Sequence, residues 1–169
     1  MKRHKTPKKP EPTQAPMEVL LKHYHDRLEA YNEATVAFCA ERKIDAEERL
    51  LHPIDGSKVE RADLVKMIRR QHVRLGDTIR ERSIELLLVK KLDDEGNIVL
   101  DSDGRLVGLS YQEILDILAE EHPYASTSAA CLRWYIVQVQ EDVDDDGELM
   151  YEFPEYRPRS SPKRKRKED

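Results

Sequence analysis

Leu109 to Gln140, LSYQEILDILAEEHPYASTSAACLRWYIVQVQ, is the stretch that decides the fold reading, because it spells two helix starts and one enforced stop. Ser110, three residues before Glu113, makes a capping box, and Leu109 and Ile114 stand where a hydrophobic staple stands. Tyr111, Ile114, Leu115 and Leu118 keep a helical period, and Pro123 forbids continuation past His122. Ser126 and Thr127 are placed to cap a second helix, whose inner face is Leu132, Tyr135, Ile136 and Val139. The spacing thus predicts two capped helices joined by a tight proline turn.

On either side lie turn signals. Asn97 to Leu100 and Arg105 to Val107 flank Asp101-Ser-Asp-Gly104, which reads as a short β-hairpin, since Asp-Gly supplies the positive φ of a tight turn. A second hairpin is read around Asp144-Asp-Asp-Gly147, with Val137 and Val139 on one arm and Leu149 to Phe153 on the other. The competing assignment keeps both valines in the helix. Helix, helix, hairpin is the order of a winged helix.

Further outward, Met17, Leu21, Tyr24, Leu28, Tyr31, Thr35 and Phe38 alternate spacings of four and three, a heptad seam broken only by Thr35. A long amphipathic helix to about Lys43 follows, packed either on the chain's own next helix or on a second copy as a homodimer. His52 to Ser57 is a turn-rich connector. The next helical region runs from about Glu60 to Lys91, with Leu64, Ile68, His72, Leu75, Ile79, Ser83 and Leu86 inward and Gly76 as its dividing point. The expected fold is mainly α: long amphipathic helices followed by a helix-turn-helix or winged-helix-like module with one or two short β-hairpins. Its divisions are a basic arm over 1–16, a helical region over 17–92, the hairpin and helical module over 93–156, and a basic tail over 157–169.

The formal net charge of -5 conceals a segregation. Residues 1–10 hold five Lys/Arg and no acids, residues 157–169 hold seven against two, and the remainder carries 17 basic and 32 acidic residues. Basic arms on an acidic body attract phosphate polyanions through counterion release, and they attract acidic proteins as well. Within the body, residues 58–91 are the basic part, with ten Lys/Arg against five acids. Lys66, Arg70 and Arg74 fall there at i, i+4 and i+8, on one helix face. Between Ser110 and Tyr156, by contrast, Arg133 stands alone against twelve acids.

Cys39 and Cys131 belong to no ligand spacing and read as buried reduced thiols. Residues 142–153 carry acids at positions one, three and five of a calcium-loop pattern and glycine at six, but Phe153 replaces the required bidentate Glu. His23 and His25 point apart on a helix and cannot share a metal. No phosphate-loop, dinucleotide, nucleophile-elbow or zinc-protease motif occurs, so neither enzyme activity, a cofactor nor a metal is expected. With no run of about 18 apolar residues and a proline-rich, charged N-terminus, no membrane span or secretory signal is read, and a cytoplasmic protein is expected.

On SYQEIL, the Pro123 turn and TSAACLRWY, residues 109–140 resemble the small helix-turn-helix and winged-helix modules of bacterial and phage-encoded proteins. The resemblance implies nucleic-acid binding, or the protein docking of which acidic winged helices are capable. The partner expected is nucleic acid, DNA foremost, with a protein partner at the acidic module. Candidate contacts are Lys66, Arg70 and Arg74 on the basic helix, and Thr127, Ser128, Arg133 and Gln138 on the outer face of the module. The C-terminal arm adds Arg157, Arg159, Lys163, Arg164, Lys165, Arg166 and Lys167. The alternative is a non-enzymatic helical assembly or adaptor protein acting through protein contacts.

Overall fold

The computed structural model describes residues 14–159. It contains five α-helices: α1 (Met17–Glu41), α2 (Arg61–Leu75), α3 (Ile79–Leu88), α4 (Tyr111–Glu121) and α5 (Ala129–Val139). The described residues fall into two compact units, one of 14–82 with 119–126, the other of 83–118 with 127–159. The division therefore falls inside α3 rather than near residue 92, and the segment after α4 returns to the helical unit. Most of the basic N-terminal arm, and Lys163 to Lys167, lie outside the described residues.

In the first unit, α1 packs along α2. The stripe that buries Leu20, Tyr24, Tyr31, Thr35 and Cys39 is covered by the chain's own next helix, where Leu64, Ile68, Gln71 and His72 face inward. Relative to the predicted seam, burial shifts toward Leu20 and Cys39; Met17, Leu21, Leu28 and Phe38 are half-buried. The 42–60 connector is pinned to α1 by side chains. Asn32 clamps Leu51 through both its amide groups, each bond 2.9 Å, and the Tyr24 hydroxyl donates to the His52 carbonyl at 2.7 Å. Side-chain bonds of this kind fix a connector whose own regular backbone bonding is limited to two short 3-10 turns, Glu47–Arg49 and Gly56–Lys58.

Both helix ends here depend on left-handed backbone. Gly76 closes α2 at φ +69°, a conformation glycine adopts without a Cβ clash, while Asp77 N–H reaches the His72 carbonyl at 3.1 Å. Lys43 closes α1 at φ +55° with Ile44 N–H bonded to the Cys39 carbonyl at 2.9 Å, and so carries the strain that a glycine there avoids.

In the second unit, the capping box forms in full: Glu113 N–H donates to Ser110 Oγ at 3.1 Å, and Ser110 N–H to the Glu113 carboxylate at 2.7 Å. Those bonds, with Lys91 close by, hold the Glu113 carboxyl below its ordinary range. The second helix begins later than predicted. Ser128, not Ser126 or Thr127, caps it, accepting from Cys131 N–H, and Thr127 Oγ1 is buried without a partner. The connector is correspondingly longer than a tight proline turn, because His122 and Tyr124 are buried in the other unit before the chain resumes as helix. Val137 and Val139 lie in α5, which settles the competing assignment in favour of helix.

The predicted hairpins at Asp101–Gly104 and Asp144–Gly147 form as turns without strands, and an unpredicted third turn is led by Asp93. Asp93, Asp101 and Asp144 each accept two backbone N–H groups through Oδ1, from residues two and four ahead, and each turn places a glycine at φ near +80°. The flanking residues meet as isolated bridges, Leu92 with Ile98, Leu100 with Leu106 and Val143 with Leu149, and no strand is formed among the described residues. Cys39 and Cys131 are free and buried. Among the described residues no helix is long and apolar enough to cross a membrane.

Candidate nucleic-acid interface

On α2, burying Leu64, Ile68 and His72 turns Lys66, Arg70 and Arg74 outward, since residues two apart on a helix point roughly opposite ways. With Arg69 and Val73 from α2, and Tyr31 and Phe38 from α1, these three line a groove of about 630 Å³. Among the described residues no carboxylate lines it. Lys66, Arg69, Arg70 and Arg74 make no ion pair among the described residues. Internal pairing with the acidic body, the plain alternative for a basic helix face, is thus not what these cations do.

Aromatic side chains organise them instead. Arg70 donates to the Tyr31 hydroxyl at 3.2 Å. The guanidinium carbons of Arg42 and Arg74 sit 3.7 and 3.9 Å from the centre of the Phe38 ring. Such contacts orient an arginine without cancelling its charge.

The remaining sequence-predicted contacts lie in the other unit and divide by role. Arg133 and Gln138 are exposed, with the Arg133 guanidinium 5.5 Å from the Tyr111 ring centre. Ser128 is committed to capping α5. Arg157 is half-buried and donates to the backbone carbonyls of Leu109, at 3.0 Å, and of Leu87. Its guanidinium ties chain segments together and is spent on that task, which corrects its reading as part of a free basic arm. Arg159 is exposed, and Lys163, Arg164, Lys165, Arg166 and Lys167 lie outside the described residues.

No protein-family model, curated protein or solved structure matches this chain. Its own geometry must carry the functional reading.

Beside the groove-bearing helix pair lies a buried histidine cluster whose convergence no sequence spacing revealed. His72 Nδ1 faces two acceptors, the Asp77 carboxylate at 2.9 Å and the Asp77 carbonyl at 3.0 Å, so it carries the proton and Nε2 is left as an acceptor. His23 Nε2 then donates to it at 2.8 Å. The two ring centres are 5.1 Å apart and their planes 14° from parallel, the spacing of imidazoles meeting edge to edge through one N–H···N bond. Tyr124 and His122 lie against His72 at ring separations of 4.7 and 4.6 Å, and His122 Nε2 donates to the Asp77 carbonyl. Arg27 completes the set on the Asp77 carboxylate at 2.6 and 2.7 Å.

Burial, with His72 and Arg27 beside it, pushes the His23 imidazole down to about 4, and burial with Arg27 lowers His72 too. Both are held neutral. The rings are in direct contact rather than converging on a common point, and no metal-binding group of three is formed among the described residues. What the cluster does is clamp the C-terminal end of α2 and the Gly76 turn onto α1. The one signal available in the sequence was His72 on the inward stripe of α2.

Proposed function

We propose that this chain is a nucleic-acid-associated accessory or regulatory protein that engages phosphates through the outward face of α2. The observation that carries the reading is four cations over two helical turns, lining one groove with, among the described residues, no carboxylate beside them and no ion-pair partner. Unpaired cations in such a row meet a polyanion with little of their charge already neutralised. The basic C-terminal arm adds to the same sequence-independent attraction, and the α4–α5 segment, with its likeness to helix-turn-helix modules, serves as the docking element for DNA or for a protein. Binding of the full chain to short duplex DNA should fall steeply with salt, and the Lys66→Glu, Arg70→Glu double variant should lose it. Retention of full affinity by that variant would move the contact elsewhere.

A second reading, a non-enzymatic assembly or adaptor protein, draws on the acidity of residues 110–156, where Arg133 is the single cation among twelve acids. That surface repels a phosphate backbone and suits a basic protein partner. Absence of DNA binding even at low salt would favour it.

A further inference from the structure

The groove just described contains an aromatic ring, and how that ring is used decides which form of nucleic acid fits. Two guanidinium carbons lie within 4 Å of the centre of Phe38. Contact that close to the centre places each group over a ring face, and two cations on one face would overlap, so Arg42 and Arg74 occupy opposite faces. Phe38 is therefore closed to stacking by a base. The other aromatic that lines the groove among the described residues, Tyr31, is 2% exposed and has its hydroxyl taken by Arg70. Proteins that hold single strands rely on open aromatic faces for successive bases, and readers of base edges push a helix or ribbon into a DNA groove, where arginine, lysine, amide or carboxylate groups reach the bases. Among the described residues the lining, Tyr31, Phe38, Val73 and four cations, offers no open aromatic face, and its cations sit in a recess that receives a backbone ridge rather than on an element that enters a DNA groove.

What remains is matched to phosphates alone. Lys66, Arg70 and Arg74 span about 12 Å along the helix axis. Through Phe38, the guanidinium groups of Arg42 and Arg74 are held on a rigid spacer about 7.6 Å apart, so little rotamer freedom is left to lose on binding. Arg42 has Glu41 near it at 3.6 Å, an exposed pair that a phosphate can displace. We propose that the α1–α2 groove is a cradle for the sugar–phosphate backbone of duplex nucleic acid, indifferent to base sequence, with the Arg42–Phe38–Arg74 stack as its fixed anchor. The proposal rests on the reading of this face as a nucleic-acid interface and adds the class of ligand.

Duplex is favoured over single strand by charge density, because each neutralised phosphate contributes a salt exponent of about 0.9 on a duplex and about 0.7 on a single strand. Over about four contacts this amounts to a roughly sixfold preference at 0.1 M salt.

The test is fluorescence anisotropy with the full chain and three probes: a short duplex DNA, a duplex of the same length and unrelated sequence, and a single strand of that length. All are titrated at several salt concentrations. The two duplexes should bind equally and the single strand about sixfold more weakly at 0.1 M salt. Arg74→Gln, with its fold checked by circular dichroism, should weaken both duplexes alike by up to about tenfold at that salt and make the slope of log K against log salt shallower by about 1. Tighter binding of the single strand, or discrimination between the duplexes that Arg74→Gln abolishes, would overturn the cradle while leaving a nucleic-acid interface. Failure of all three probes to bind at low salt would overturn the interface itself, and the cradle with it.

Discussion

Acid should loosen the α1–α2 unit through its buried histidines, and the size of the effect follows from His23. In the unfolded chain an imidazole takes up its proton as the pH falls through about 6.5, whereas in the fold His23 resists until about 4, chiefly because it is buried, and further because a charge on it would face the His72 imidazole and the Arg27 guanidinium. Between those values the unfolded state binds more protons, so the stabilisation is complete above about 6.5 and drains away as the pH falls toward 4. A displacement of about 2.5 pKa units corresponds to about 3 kcal/mol in full, and about 2 kcal/mol of it should be gone by about pH 4.5. Against a total of about 5–15 kcal/mol for a typical domain, that is a measurable share. His72, also lowered, adds in the same direction. The comparison that isolates the effect is His23→Gln, whose amide can still donate to His72 but does not titrate. Urea titrations from pH 7 to 4.5, followed by hydrogen exchange in peptides of α1 and α2, should show the native chain losing about 2 kcal/mol more than the variant. Parallel losses in both proteins would refute the assignment of His23 as a buried neutral donor.

Four further outcomes are expected. Ser110→Ala should cost about 0.5–2 kcal/mol in thermal or chemical denaturation, because Glu113 N–H loses its cap. Lys43→Gly should raise the melting temperature, since glycine relieves left-handed strain of about 1 kcal/mol at φ +55°. Leu64→Ala empties a fully buried site between α1 and α2 and should destabilise that unit by about 2–5 kcal/mol in urea unfolding. Arg157→Met should destabilise the other unit by about 1–3 kcal/mol, as the Leu87 and Leu109 carbonyls lose their donor, with unfolding followed by Trp134 fluorescence.

Local chemistry was legible in the chain before any fold was known. The Ser110–Glu113 box, the break at Gly76, the turns at Asp101 and Asp144 and the helical periods depend on neighbours a few residues apart, and such short-range bonding is written in spacing. So was the outward face of Lys66, Arg70 and Arg74, which follows from the inward one. The likeness of α4 and α5 to a proline-turned pair failed at the connector, because Tyr124 is drawn into the core around Leu20, Tyr24 and Ile68, and that long-range burial outweighs a local turn preference. Only the tertiary structure could decide which cations are free and which are used. Arg157 and Lys66 look alike in sequence, yet one fills a backbone socket and the other lines an open groove. The Asp77–His72–His23 chain is likewise invisible to spacing, since His23 stands 49 residues from His72 and meets it because α2 lies along α1. Sequence specifies which groups each helix presents to either side; the packing of one helix on another selects which of those groups lose water, and with it their charge and their availability to a partner.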